Sequence, residues 1–243
     1  MDVLRTVANF VFGMECLGCG TSSEKLDPWL CPTCAAELAR ESRSPKFPNE
    51  DSFCLFPMRP LTRRLVHALK YRNIPGLASY LVRRSSAVKL GEVAQELLML
   101  AQPLYFVPVP LHRARYRERG YNQAELLAAA LATAMGGKVC RWLRRKTFVV
   151  SQTKLSKEER EMNVAEAFVA CLPQELPTRG SIVVVDDVFT TGATTSACLA
   201  ALGTEIPLPL KVCTLIYDEP ASAAADFAAD CRADWDSFYK RRL

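Results

Sequence analysis

The sequence predicts an α/β fold: a parallel sheet with helices on both faces, and a small four-cysteine module near the N-terminus. Three observations predict it. Ile182 to Val185 is a run of four β-branched residues, the pattern of a strand buried on both faces. It is followed by Asp186 and Asp187, by the small residues Thr190, Thr191, Gly192, Ala193 and Thr194, and by a helical stretch from Ser196 to Leu202. The segment LYFVPV, Leu104 to Val109, repeats that order, since an arginine-rich loop and an Ala/Leu-rich helix come after it. Finally, Cys16/Cys19 and Cys31/Cys34 form two CxxC pairs, the spacing of a thiolate metal knuckle.

The elements follow in chain order. Leu4, Val7, Ala8 and Val11 have amphipathic helical spacing. With Asp2 ahead of Arg5 and no long apolar core leading to a cleavage site, a signal peptide is not expected. No apolar run has the length of a membrane span, so a cytoplasmic location is expected. Each CxxC turn aims two sulfurs at one point, and two such turns complete a tetrahedral set suited to structural zinc. Gly20 gives the first knuckle its conformational freedom. An iron–sulfur cluster is the alternative metal, and a redox CxxC the alternative chemistry. Ala35 to Phe56, with Ser42, Ser44, Pro45, Pro48 and Asn49, reads as a connector. The boundary is accordingly placed between a zinc-binding unit, 1–50, and a main domain, 51–243.

In that domain Leu61, Leu65, Ala68 and Leu69 share one helical face over 61–71, and Ile74-Pro75-Gly76 ends the segment. Further helices are expected over 76–86 and 92–101. The strand at 104–109 should stop at its prolines, which lack amide donors. The loop Leu111 to Arg119 carries Arg113, Arg115, Arg117 and Arg119, and guanidinium groups beside a strand end suit polyphosphate. The helix after Gly120 closes at Gly136-Gly137. Strands at Ile182 and at Val212 to Tyr217 follow, then an Ala/Asp-rich tail from Ala221 to Asp236.

Charge is unevenly spread. Between Arg59 and Arg160 lie 20 Lys and Arg against 6 Asp and Glu, whereas the rest holds 11 against 20. A basic middle suits phosphate-rich ligands, either pyrophosphate or nucleic acid, and a solvated surface is the bland alternative. Of the 10 cysteines, the six outside the CxxC pairs are scattered singly, which fits small buried hydrophobes better than a disulfide framework.

The order of strand, acidic pair, small polar turn and helix reads as a sugar-phosphate cradle. The turn amides and helix start would hold a phosphate. The carboxylates would accept hydrogen bonds from vicinal hydroxyls or hold a hydrated Mg²⁺. The segment resembles the phosphoribosyl-pyrophosphate (PRPP) signature of type I phosphoribosyltransferases, with Phe189 in a slot that is usually aliphatic. That resemblance implies a type I phosphoribosyltransferase-like sheet. It gives Asp186 and Asp187 the ribose hydroxyls, and Thr190, Thr191, Gly192, Ala193 and Thr194 the 5′-phosphate.

Four further segments sharpen the likeness. FVPVPLHRARYRERGYNQAELLA (106–128), HALKYR (67–72), the Q-x-x-L…R-x-x-N…F pattern at Gln152, Leu155, Arg160, Asn163 and Phe168, and the four-cysteine knuckle together resemble the ComF family of phosphoribosyltransferase-like proteins. The family is linked to DNA uptake and competence. The resemblance implies that Arg117 and Arg119 meet pyrophosphate and that 146–163 forms a hood over PRPP, with Arg160 and Gln152 as its working residues. Mg²⁺ would arrive with PRPP.

A PRPP-binding role in DNA uptake follows, with single-stranded DNA held by the basic middle and by Tyr71, Tyr116, Tyr121 and Phe148. DNA-uptake proteins and a second copy of the chain are the other implied partners. The alternatives are an active phosphoribosyltransferase on an unidentified acceptor and a non-catalytic PRPP sensor.

Overall fold

A computed structural model of the chain describes residues 14–23, 25–42, 46–49, 51–85, 101–146, 167–203 and 205–218. The expected helices at the N-terminus and at 92–101, the tail, Phe148, Gln152 and Arg160 lie outside them.

Its centre is a six-stranded sheet. The strands are β3 (Lys46–Asn49), β4 (Ser52–Pro57), β5 (Leu104–Pro108), β6 (Lys138–Val139), β9 (Ser181–Phe189) and β10 (Leu210–Tyr217). Their spatial order is β3-β4-β10-β9-β5-β6, and every pairing is parallel except β3 with β4. Two short antiparallel pairs flank it: β1 (Met14–Glu15) with β2 (Ser22–Ser23), and β7 (Leu143–Arg145) with β8 (Phe168–Ala170). The helices are α1 (Pro32–Glu41), α2 (Pro60–Tyr71), α3 (76–85), α4 (Arg113–Arg119), α5 (Gln123–Met135) and α6 (Ala193–Gly203).

The sheet is covered on both faces, as a parallel sheet requires. Pleating alternates the side chains of β9. Val183 and Val185 enter a core with Leu61, Leu65 and Leu69 of α2, Leu81 of α3 and Leu127 and Leu131 of α5. Ile182 and Val184 enter a second core with Cys198 and Leu202 of α6, Trp142, Leu143 and Phe168.

The main strands, α2, α3 and α5 stand where the sequence places them. Four readings need correction. The connector at 35–56 is instead most of α1, then β3 and β4. Ser52–Pro57 is buried at every position and pairs in parallel with β10, so this stretch is sheet interior. The arginine loop is largely a helix, α4, although none of its residues is buried. The acidic pair does not follow β9 but lies within it, because pairing with β10 continues to Tyr217 opposite Phe189. α6 likewise starts earlier than expected, so Ala193 and Thr194 belong to its first turn and not to the preceding turn.

The N-terminal knuckle shares the main core. Cys16, Leu17, Leu30, Cys34 and Leu38 pack with Leu61 and Leu65. Trp29 meets Tyr80 edge-on at 5.4 Å, and Arg84 pairs with Asp27.

Candidate functional site

β5 connects onward to its neighbour β6, and β9 to its opposite neighbour β10. The chain therefore diverges between β5 and β9, and outside the carboxyl ends of those strands lies the crevice in which open α/β sheets bind ligands. Pro108 stands opposite Val185, and the Val109 amide donates to the Val185 carbonyl at 2.9 Å, so the exit of β5 abuts Asp186 directly.

The alternation that splits the core also splits the acids. Asp187 falls on the α2 face, where Lys70 Nζ lies 3.2 Å from its Oδ1 with both side chains largely shielded. Asp186 falls on the α6 face, and its charge is felt by the Cys198 thiol. Its Oδ1 accepts the Asp187 amide at 2.8 Å. Burial, and after it the charge of Asp187, pushes the Asp186 carboxyl up to about 7, against that amide bond and the fields of Lys70 and Arg145.

After β9 the chain turns through exposed Thr190 and Thr191 to buried Gly192, whose φ of +80° is left-handed. A Cβ there would come within 2.7 Å of the Phe189 ring, so the aromatic residue at 189 and the glycine at 192 fit each other. Thr195 Oγ1 donates to the Gly192 carbonyl at 2.9 Å and fixes the start of α6. The side chain of Thr194 is half-buried in that first turn, and Ala193 is exposed.

At the exit of β5, His112 caps α4: its Nδ1 accepts the Ala114 amide at 3.2 Å. Arg117 is exposed, and with Leu111, Arg113 and Tyr116 it lines an open hollow of about 560 Å³. Arg119 is half-buried and engaged. Its NH1 donates to Gln123 Oε1 at 3.0 Å, and its guanidinium lies 5.2 Å from the Tyr71 ring centroid. His67 sits against the same ring at 4.7 Å; burial, then Arg72 and Lys70, lowers its pKa and favours the neutral form. Tyr71 and Tyr116 are about half exposed, whereas the Tyr121 hydroxyl donates inward to the Leu69 carbonyl at 2.6 Å.

Two groups of residues at this edge were not singled out from the sequence. Lys70 is one; it is 117 positions from Asp187, and no local pattern links them. The second is Arg144 and Arg145 of β7 with the adjoining Lys146, which with Arg113 and Pro110 line a cavity of about 190 Å³. The consecutive basic run at 144–146 was the available signal. Cations around a small cavity beside a strand exit have the chemistry that suits a compact polyanion.

The four cysteines of the knuckle come together, every Sγ lying within 4.8 Å of the others. Cys19 and Cys31 are 3.8 Å apart, the edge of a tetrahedron with metal–sulfur bonds of about 2.3 Å. The Gly18 and Cys31 amides donate to Cys16 Sγ at 3.4 and 3.2 Å. The donor set fits a closed structural zinc site. Gly18 is required by space, since a Cβ would meet Cys34 Sγ and Leu61 Cδ1, each at 2.7 Å. Among the described residues no helix is long and apolar enough to cross a membrane.

No protein-family model matches the sequence. Curated relatives do. The DNA utilization protein YhgH of Salmonella typhimurium is 33% identical over 183 residues, covering 68% of this chain and 74% of the relative. Competence protein F of Haemophilus influenzae is 37% identical over 119 residues, covering 44% and 48%. Among solved structures, an adenine phosphoribosyltransferase overlaps 81% of this chain and 96% of its own at 16% identity, with a TM-score of 0.41.

Proposed function

Since this chain belongs to the ComF family of competence and DNA-utilization proteins, we propose that it binds PRPP with Mg²⁺ at the β5–β9 crevice and acts in DNA uptake. The observation that carries the reading is the convergence at one sheet edge of three receptors of the right chemistry. The acids of β9 are acceptors for sugar hydroxyls, the turn from Thr190 into α6 offers amides to a monophosphate, and the Arg113/Arg144–Lys146 cavity offers cations to a diphosphate.

In this reading Asp186 and Asp187 orient the pentose, and positioning is a large part of any rate enhancement at its anomeric carbon. Arg113, Arg144, Arg145 and Lys146 stabilise the charge that grows on departing pyrophosphate. Mg²⁺ would supply additional neutralisation of that diphosphate. Arg117 and Arg119 of α4, with Gln152 and Arg160, remain candidate contacts. Among the described residues no side chain at this edge identifies an acceptor, so transfer to an acceptor and sensing of PRPP are separated by experiment.

Mg²⁺-dependent protection of the protein against heat by PRPP is the expected result. Asp186→Ala combined with Asp187→Ala should abolish it while the fold survives. Absence of protection in the wild type would remove the reading. Release of pyrophosphate with candidate acceptors then divides enzyme from sensor.

Single-stranded DNA is the second ligand, favoured by the exposed rings of Tyr71 and Tyr116 beside Arg117 and Arg119. Binding should weaken steeply with salt, and the Tyr71→Ala, Tyr116→Ala double variant should lose at least about tenfold in affinity. Unchanged affinity would move the DNA path elsewhere.

A further inference from the structure

The acid pair invites two readings, a hydroxyl receptor and a seat for a free divalent cation, and the geometry distinguishes them. Asp187 already has a cation. Lys70 Nζ lies 3.2 Å from its Oδ1, and the two side chains are only 21% and 14% exposed. Asp186 does not close around one ion with it from the same side: its charge acts on Cys198 of α6, whereas Lys70, the partner of Asp187, belongs to α2. One oxygen of Asp186 is also taken by the Asp187 amide at 2.8 Å. Mg²⁺ requires small, near-octahedral oxygen geometry, and expelling Lys70 would strand an ammonium in a shielded place.

We infer that Lys70 is a positioning residue that occupies the cation position of this acid pair, excludes a resident metal ion and leaves the carboxylates to neutral hydroxyls. Metal therefore enters only as part of the diphosphate-bearing ligand. Paired through one oxygen, Asp187 keeps its orientation and a second oxygen able to accept from a hydroxyl. The first half of the inference stands on the protein alone; the second rests on the sugar-phosphate reading above.

The test uses the full-length, zinc-replete protein and Mn²⁺ alone as probe, with free Mn²⁺ followed by electron paramagnetic resonance. The wild type should bind no Mn²⁺ more tightly than about 1 mM at the acids. Lys70→Met should bind at least about tenfold more tightly, a gain cancelled by adding Asp187→Asn, while Lys70→Arg should match the wild type. Should the methionine variant fail to fold, Lys70→Gln, neutral and polar, makes the same comparison.

Wild-type binding that Asp187→Asn removes would overturn the inference. So would an unchanged affinity in a folded Lys70→Met or Lys70→Gln protein. These titrations contain no sugar phosphate, so a failure of PRPP to protect the wild type sinks the ligand reading and leaves metal exclusion by Lys70 standing.

Discussion

The Asp186 carboxyl sets a pH dependence at the scale of one residue. Its folded-state pKa, about 7, stands above the ordinary carboxylate value of 3.8, and burial is the leading cause. Between those values the folded protein binds more protons than the unfolded chain, so this group makes stability fall as pH rises from about 4 to 7 and leaves it lower above that. Asp186→Asn should flatten this slope and raise stability at pH 8 by roughly 2 kcal/mol. Urea unfolding of both proteins at pH 5 and pH 8 checks this. Equal slopes would mean the carboxyl is solvated. The sequence made the two acids visible because they follow an uninterrupted β-branched run. It did not make Lys70 visible, because its partner is fixed by the packing of α2 on β9 and not by spacing.

Among the elements, α5 shows how a cap anchors the site. Asn122 is buried, its Oδ1 accepts the Ala124 amide at 3.1 Å, and its Nδ2 donates to the Val109 carbonyl at 2.9 Å. One side chain thus ties the start of α5 to the exit of β5. Asn122→Ala should cost about 1–3 kcal/mol, since it removes a cap and leaves a buried carbonyl unpaired; chemical denaturation measures it. Gly18→Ala should act on a different seam, between knuckle and α2, costing about 1–3 kcal/mol and loosening zinc, as a chromogenic chelator would report.

The legible elements were those whose pattern matches their burial. α2 has an apolar face, β9 a continuous β-branched run, and α5 an Ala/Leu stretch ended by Gly136 at φ +74°. α4 was read as a loop because it buries nothing and so has no apolar period. β4 was missed because Pro48, Asn49 and Ser52 around it carry turn chemistry, although Phe53 to Phe56 is an apolar run of strand length.

At the scale of the molecule, the cysteine knuckle and the sheet share one core. Leu30 and Leu38 are fully buried among residues that also pack on β9. Metal removal should therefore not release an independent appendage. Chelation is expected to lower the melting temperature of the whole chain by at least about 5 °C, within one calorimetric transition. Two separate transitions, with the larger unmoved, would show that the knuckle is energetically detached. The knuckle itself was legible because thiolate spacing alone fixes it; its docking on α2 was not, since that contact joins residues distant in sequence.

The alternation of β9 from Ile182 to Val185, carried on into the acid pair, also limits how this chain can vary. Adding or deleting a single residue ahead of Asp186 would exchange the sides on which the two carboxylates emerge, carrying one away from its lysine and the other toward it, while the composition of the motif stayed the same. Length between Ser181 and Asp187 is therefore as much a part of the geometry of the acid pair as the letters themselves.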